Sequence, residues 1–451
     1  MTRTHQLILA GLATGGLMLA GCQGTPAPGE KQARRDLVMV TDKFRPTHQP
    51  LGLPELTPDS SLSNYLTFAL FNQPQVAAAY YDWLASVENI TVTRSMPDPQ
   101  IALQAYIQNS ITSLMPGLFQ QIPGPGKLKA RGRVAAAESE GKYFALESAV
   151  LQAAFNLKSA YFKFGLLEEQ LRLKRETLTL LESEERVSHA QNAAGTAALA
   201  DTLRVQGDCS RARNDVASLE DSRQPLLENF KAALGLTPTR PDPPVPAHFE
   251  SGSEMPDADE LRRAAFARNP QLKSLAAEVR AAEAGIAVAY KERVPDFNAG
   301  FTADVKASPI LYWPQFTMTL PVWRDKLAAE VAQAQANELA AKSRLQAAQI
   351  ELAVNFAEKL FTCRETSRDL ALIRDELIPQ AQQALATGRA GYRAGQMDFS
   401  GLLAAERMLL DLQLQSAEAR TQRDIALADL SILVAGLPPA NAPLLSNTRK
   451  P

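Results

Sequence analysis

Cysteine and histidine are scarce in this chain of 451 residues, and their scarcity removes several classes of function. Cys22, Cys209 and Cys363 are too few for a disulfide framework or a zinc site, and the four histidines, His5, His48, His189 and His248, are scattered. His189 reads as a solvated residue near a helix end. A Cys209–Cys363 bridge is disfavoured by helical distance, since Cys209 lies about 21 Å from the turn at Gly195 and Cys363 about 42 Å from Gly391. Both read as small apolar core residues. Phosphate loops of the G-x-x-x-x-G-K-[ST] type and H-E-x-x-H helices are missing, and no polar constellation converges, so neither an enzyme nor a cofactor is expected. A formal net charge of -2 without a basic block argues against nucleic acid as a partner.

Long apolar runs are also lacking, apart from Leu7–Ala20, which follows Arg3 and His5. That run is too short for a permanent membrane helix, and residues 1–21 read as an export signal. It ends in Leu19-Ala20-Gly21-Cys22, which resembles the bacterial lipobox; an ordinary signal peptide with an incidental cysteine is the alternative. The lipobox likeness implies that Cys22 bears lipid, and Gln23 in place of Asp implies outer-membrane sorting. Residues 22–58 carry Pro, Gly and charge with little periodicity and read as a lipid-anchored tether. A Pro-rich connector at 236–256 and a tail at 438–451 are the other breaks.

What is present is duplication. Pro74 answers Pro270 at an offset of 196, Pro97-Asp98 answers Pro295-Asp296 at 198, and Pro123 answers Pro321 at 198. Gly195 and Leu203 answer Gly395 and Leu403 at 200, and Gly235-Leu236 answers Gly436-Leu437 at 201. Two repeats are expected, at 59–235 and 257–437, each reading helix, two strands, a very long helix, a turn and another long helix. The long helices are expected at about 127–190 and 201–234, then about 326–388 and 398–435, the third interrupted only by Pro379. The first would run on the order of 95 Å. Its apolar residues Phe144, Leu151, Phe155, Phe162, Leu166 and Leu173 alternate in steps of seven and four, about 3.67 residues per turn, which favours nearly straight packing. Small residues crowd the third helix, as at Val331–Ala336, and permit close backbone approach. A plain periplasmic coiled coil would satisfy the helices alone.

The strand segments decide against it. Around 98–122 and 296–322, apolar and polar residues alternate: Ile101, Leu103, Ala105 and Ile107 against Gln100, Gln104 and Gln108, and Phe297, Ala299, Phe301 and Ala303 against Asn298, Gly300, Thr302 and Asp304. Phe316, Met318 and Leu320 alternate with Gln315, Thr317 and Thr319. Each run approaches the length at which a tilted strand crosses a bilayer, and Tyr312 and Trp313 are expected at the membrane interface. Four strands cannot close a barrel, so a dimer of eight or a trimer of twelve is required.

These features resemble the TolC-like outer-membrane efflux proteins, specifically the lipid-anchored outer-membrane factors of tripartite pumps, from about Leu62 to Leu437. The carriers are Gly195-Thr-Ala-Ala-Leu-Ala-Asp201-Thr-Leu203-Arg204, Tyr392-Arg-Ala-Gly395-Gln-Met-Asp398-Phe-Ser-Gly-Leu402-Leu403, and the corner Ile122-Pro123-Gly-Pro-Gly126-Lys127-Leu128. That corner is similar to the heavy-metal-exporting branch. The resemblance implies a mainly α fold with a membrane β-barrel: a homotrimer with a twelve-stranded barrel, a twelve-helix α-barrel, and passive conduction along a common axis. Implied partners are a periplasmic adaptor protein, an inner-membrane pump and outer-membrane lipid. The helix turns become the periplasmic tip, where Asp201 matches an acidic gate position. The matching second-repeat positions are Gly401 and Ala404, so Asp398 and Glu406 are candidate substitutes; capping of a helix is the competing role for Asp398. Pro321 is the second barrel-to-helix corner. A periplasmic adaptor or structural coiled-coil lipoprotein without a channel is the alternative function.

Overall fold

The structure, a computed structural model, describes residues 28–44, 53–107, 111–196, 198–250 and 257–435. The expected signal at 1–21, Cys22, Gln108, Gly436-Leu437 and the tail lie outside the described residues. In chain order the elements are α1 (Pro28–Phe44), α2 (Leu62–Asn72), α3 (Pro74–Arg94), β1 (Gln100–Ile107), β2 (Ile111–Ile122), α4 (Lys127–Ala193) and α5 (Leu199–Ala233). The second repeat follows as α6 (Ala258–Arg268), α7 (Pro270–Lys291), β3 (Phe297–Asp304), β4 (Leu311–Met318), α8 (Arg324–Ala371), a π turn (Leu372–Leu377), α9 (Ile378–Arg393) and α10 (Phe399–Leu433). Each repeat thus has two helices before its strands, where the sequence suggested one.

The chain forms two compact units. One comprises Met1–Lys43, Ala79–Ala145 and Gln271–Ala348. It holds the four-stranded antiparallel sheet, ordered β1-β2-β3-β4, and a helical core around Trp83, whose ring meets Tyr143 edge-on at 5.1 Å. It also corrects the tether. Residues 28–44 form α1 rather than an irregular link, and α1 is held to α3 by charge: Glu30, 1% exposed, accepts from Arg94 (2.9 Å), Arg34 (3.3 Å) and Thr91 (3.2 Å). Part of the inward face of α1 is acidic, through Glu30 and Asp36, which hid it from a reading based on apolar periodicity.

The other unit comprises Phe44–Ala78, Leu146–Pro270 and Gln349–Pro451. Its core includes Tyr65, whose ring packs on Phe230 (5.6 Å) and Tyr161 (6.3 Å). Buried phenols need partners, and both find them in the connector: the Tyr65 hydroxyl donates to the Pro244 carbonyl, and the Tyr161 hydroxyl donates to the His248 carbonyl while accepting from the Glu250 N–H. Cys209 and Cys363 are free and fully buried, in separate apolar clusters. Burial pushes both thiols up to about 11, so neither is a thiolate at neutral pH.

The duplication has a physical signature in this unit. The last carbonyls of a helix lack intrahelical partners, and here the opening of each repeat supplies one to its close: the Gln73 amide donates to the Ala232 carbonyl, and the Asn269 amide to the Leu433 carbonyl, both at 3.3 Å. Pro74 and Pro270 follow at the first position of α3 and α7, where a missing N–H costs nothing. The left-handed residue ending α5 is Gly235 (φ 73°); the one ending α10 is Ala435 (φ 52°). The third long helix departs from expectation ahead of Pro379. Proline crowds the carbonyl four residues earlier, that of Asp375, and the backbone widens there into the π turn, with Ile378 N–H donating to Ile373.

Two outcomes follow. Ala435→Gly should raise stability by about 1 kcal/mol, read as a higher denaturant midpoint, because glycine removes the left-handed penalty. Acid should release α1. Burial raises the Glu30 carboxyl, but the hydrogen bonds from Arg94 and Arg34 outweigh it and set its pKa below the ordinary 4.5. The stability it contributes is therefore present above that value and lost as pH falls through the folded-state pKa. Amide exchange corrected for intrinsic rates should show α1 losing protection ahead of α3 as the pH is taken progressively below 4.5.

Candidate functional site

Residues directly opposite in a sheet project to the same side, so the register assigns every strand residue to a face. Ile101 faces Leu118, which faces Phe301, which faces Pro314; Leu103 faces Pro116, and Ala299 faces Phe316. One face is therefore apolar across all four strands, with Gln120 the polar exception, and the Gln120 amide is occupied by the Pro97 carbonyl at 2.8 Å. The opposite face carries Gln100, Gln104, Gln121, Asn298, Thr302, Gln315 and Thr317. The apolar face is uncovered: Ile101 is 84% exposed, Tyr312 70% and Phe316 67%. Within the chain the sheet ends at β1 and β4, each with one unpaired side. Among the described residues no helix is long and apolar enough to cross a membrane. Neighbours in a strand point to opposite faces, so Tyr312 lies on the apolar face and Trp313 on the other, opposite Thr302.

The corner after β2 is built around a buried lysine. Lys127, 3% exposed, opens α4 and pairs with Asp296 (2.9 Å) and Glu292 (3.0 Å). Burial alone would lower its pKa; the hydrogen bonds it donates to Asp296 and Glu292 reverse this and raise it. Asp296 also accepts from the Gly124 N–H at 2.7 Å. A Cβ on Gly124 would sit 2.5 Å from the Pro295 carbonyl, and Gly126 is left-handed at φ 84°. Pro123-Gly-Pro-Gly126 is thus a close backbone crossing between the segment that leaves β2 and the one that enters β3. The sequence singled out Lys127 without its two acids, which lie 165 or more positions away. The Pro321 corner is open by contrast, with Trp323 75% exposed.

The helix turns share one stop. Gly195 (φ 69°) and Gly395 (φ 70°) each leave N–H groups reaching back: Thr196 donates to Gln191 and Gln396 to Gly391, the Schellman arrangement that satisfies orphan carbonyls. Beyond the stop the repeats diverge. Leu203 is 57% exposed while its counterpart Leu403 is 4% exposed. In the first turn Ser188 and Thr202 share a buried hydrogen bond at 3.1 Å; in the second the Tyr392 ring packs on Phe399 at 5.8 Å. Asp201 is exposed in the first turn of α5, at the positive end of the helix dipole. Asp398 caps α10 by accepting from the Gly401 N–H at 3.0 Å, and Glu406 accepts from Arg389 at 3.2 Å. His189 is exposed and bonded to Gln206 at 2.8 Å, and no cluster among the described residues has metal-ligand character.

With sheet, corner and turns in place, the chain matches the outer membrane efflux protein family over residues 66–236 and 261–436, both repeats. It belongs to that family. Three solved structures share its fold: the outer membrane protein VceC of Vibrio cholerae (15% identity, TM-score 0.66, covering 83% of this chain and 96% of that one), the Campylobacter jejuni CmeC outer membrane channel (12%, 0.69, 88% and 91%) and the Neisseria gonorrhoeae MtrE outer membrane channel in its open state (16%, 0.69, 87% and 94%). Among curated proteins none matches. This efflux protein is an outer-membrane channel component and not an enzyme.

The corner carries its own test. Lys127→Ala in this efflux protein would remove the buried cation that joins the half-exposed Asp296 to Glu292, which keeps Arg131, and should cost about 1–3 kcal/mol, seen as a lower denaturant midpoint. Lys127→Arg should retain most of it.

Proposed function

We propose that the chain works as a homotrimer, its strands closing a twelve-stranded barrel in the outer membrane and its long helices forming a twelve-helix barrel in the periplasm. The carrying observation is the sheet, whose apolar face is bare and whose two outer strands each lack a neighbour. An edge exposed to hydrocarbon costs several kcal/mol per unpaired backbone group, and four strands are too few to close on themselves. The apolar face then meets lipid and the amide-rich face lines water.

In this reading Cys22 bears the lipid anchor, and the turns at Gly195 and Gly395 form the periplasmic tip, where an adaptor protein and an inner-membrane pump dock. The pump supplies the energy and this chain supplies a passive exit duct. Asp201 is the gate carboxylate: three symmetry-related copies attract cations and repel one another, so the closed tip is easiest to hold when they are protonated or ion-bound. Asp398 and Glu406 are engaged by Gly401 and Arg389 and contribute less.

Purified protein is expected to run as heat-resistant trimers in detergent and to give stepwise conductance in planar bilayers, with Asp201→Asn lowering the cation-to-anion permeability ratio. A monomer without conductance would instead make the chain a structural coiled-coil lipoprotein.

A further inference from the structure

The two ends of the sheet differ in charge. At one end β1 and β3 begin and β2 and β4 finish, as the pairing of Gln100 with Phe119 and of Phe297 with Ile122 and Met318 fixes. In the eleven residues beyond each of those four strand ends, nine Lys and Arg stand against four Asp and Glu, a local charge of +5 in a chain whose net charge is -2. The links at the other end, 108–110 and 305–310, contain one charged residue, Lys306.

Part of that positive charge is used within the fold. Lys127 and Arg131 pair with Glu292, Lys127 also with Asp296, and Arg94 with Glu30. The rest faces outward: Lys129, Arg133, Arg293 and Arg324 are exposed, and among the described residues none has a carboxylate within ion-pair distance. Internal salt bridges therefore do not explain why these four gather here. Apolar surface adjoins them. Past β4 the exposed apolar residues continue through Leu320 (60%), Val322 (62%) and Trp323 (75%) and stop at Arg324. At the end of α7 the Arg293 guanidinium lies 5.3 Å over the ring of Tyr290, which is itself exposed. Apolar side chains, then exposed aromatic rings, then cations is the order met on passing from hydrocarbon into an anionic headgroup layer.

We infer that this basic collar binds anionic phospholipid headgroups of the leaflet on the side of the long helices, with Lys129, Arg133, Arg293 and Arg324 on the phosphates and Tyr290 and Trp323 at the boundary with the acyl chains. Lys and Arg bury their stems along apolar surface and keep the charged head in the polar layer, and each such cation near the membrane surface draws negative lipid toward it. The inference rests on the reading that the bare apolar face meets lipid, and adds the headgroup chemistry and the side chains that select it.

Trp323 lies within the collar and reports on it. The full-length protein would be placed in phosphatidylcholine vesicles holding an equal minor share of either brominated phosphatidylglycerol or brominated phosphatidylcholine, and the emission that bromine quenches at Trp323 read as the difference from Trp323→Phe. Phosphatidylglycerol should be enriched at Trp323 about threefold or more over phosphatidylcholine at low salt, and the preference should vanish at about 1 M salt, where screening acts within about 3 Å. Lys129→Gln, Arg133→Gln, Arg293→Gln and Arg324→Gln together should abolish it, whereas the same change at Arg186, Arg204, Arg364 and Arg393, exposed on helices of the other unit, should leave it intact. Equal quenching by the two lipids in the wild type, or a preference that survives salt or the collar substitutions, would overturn the inference. Wild-type protein that enters neither kind of vesicle would count instead against the membrane reading itself.

Discussion

A backbone N–H or C=O facing hydrocarbon has no water to bond, and leaving it unpaired costs several kcal/mol. Much of this molecule follows from that cost. Strands β1 to β4 satisfy one another through their ladders, but the outer sides of β1 and β4 remain. No rearrangement within one chain removes both edges, because four strands span too small an arc. The proposed homotrimer follows from the strand number, and bare apolar side chains beside bare edges are what that reading expects of one subunit seen alone.

The corner at Lys127 shows how the ends of such a sheet are fixed. A strand leaving a membrane has to become a helix within a few residues, and the glycines at 124 and 126 give the backbone the room to cross the segment before β3. Charge then locks the crossing, one buried ammonium between two carboxylates that come from the other repeat. The turns at the far ends of the helices are anchored differently, by backbone hydrogen bonds and left-handed glycines, and their side chains are free to diverge between repeats.

The strands and long helices were legible in the sequence because period-two alternation and proline-free stretches are local signals. The turn glycines were legible because a left-handed residue after a helix has few alternatives to glycine. Other features were hidden for equally physical reasons. The inward face of α1 includes the carboxylates Glu30 and Asp36, which sequence patterns assign to solvent, and two of the partners of Glu30, Thr91 and Arg94, lie in a distant helix. Asp296 and Glu292 meet Lys127 through the fold and not through spacing. Position 401, where the resemblance implied an acid, supplies the N–H that the Asp398 cap accepts. Ala435 holds a shape its side chain disfavours, so composition could not mark it.

The π turn at Leu372–Leu377 bears on the history of the chain. Between Pro123/Pro321 and Gly195/Gly395 the two halves slip by two positions relative to each other, and the widened turn falls inside that interval. One residue added to an ordinary helix would rotate everything beyond it by about 100°, turning Ala381 and Leu385 out of the core they occupy. A wider loop of backbone absorbs the addition locally. The turn thus holds one of the two extra positions of the second half without twisting its downstream face away from the core it packs into.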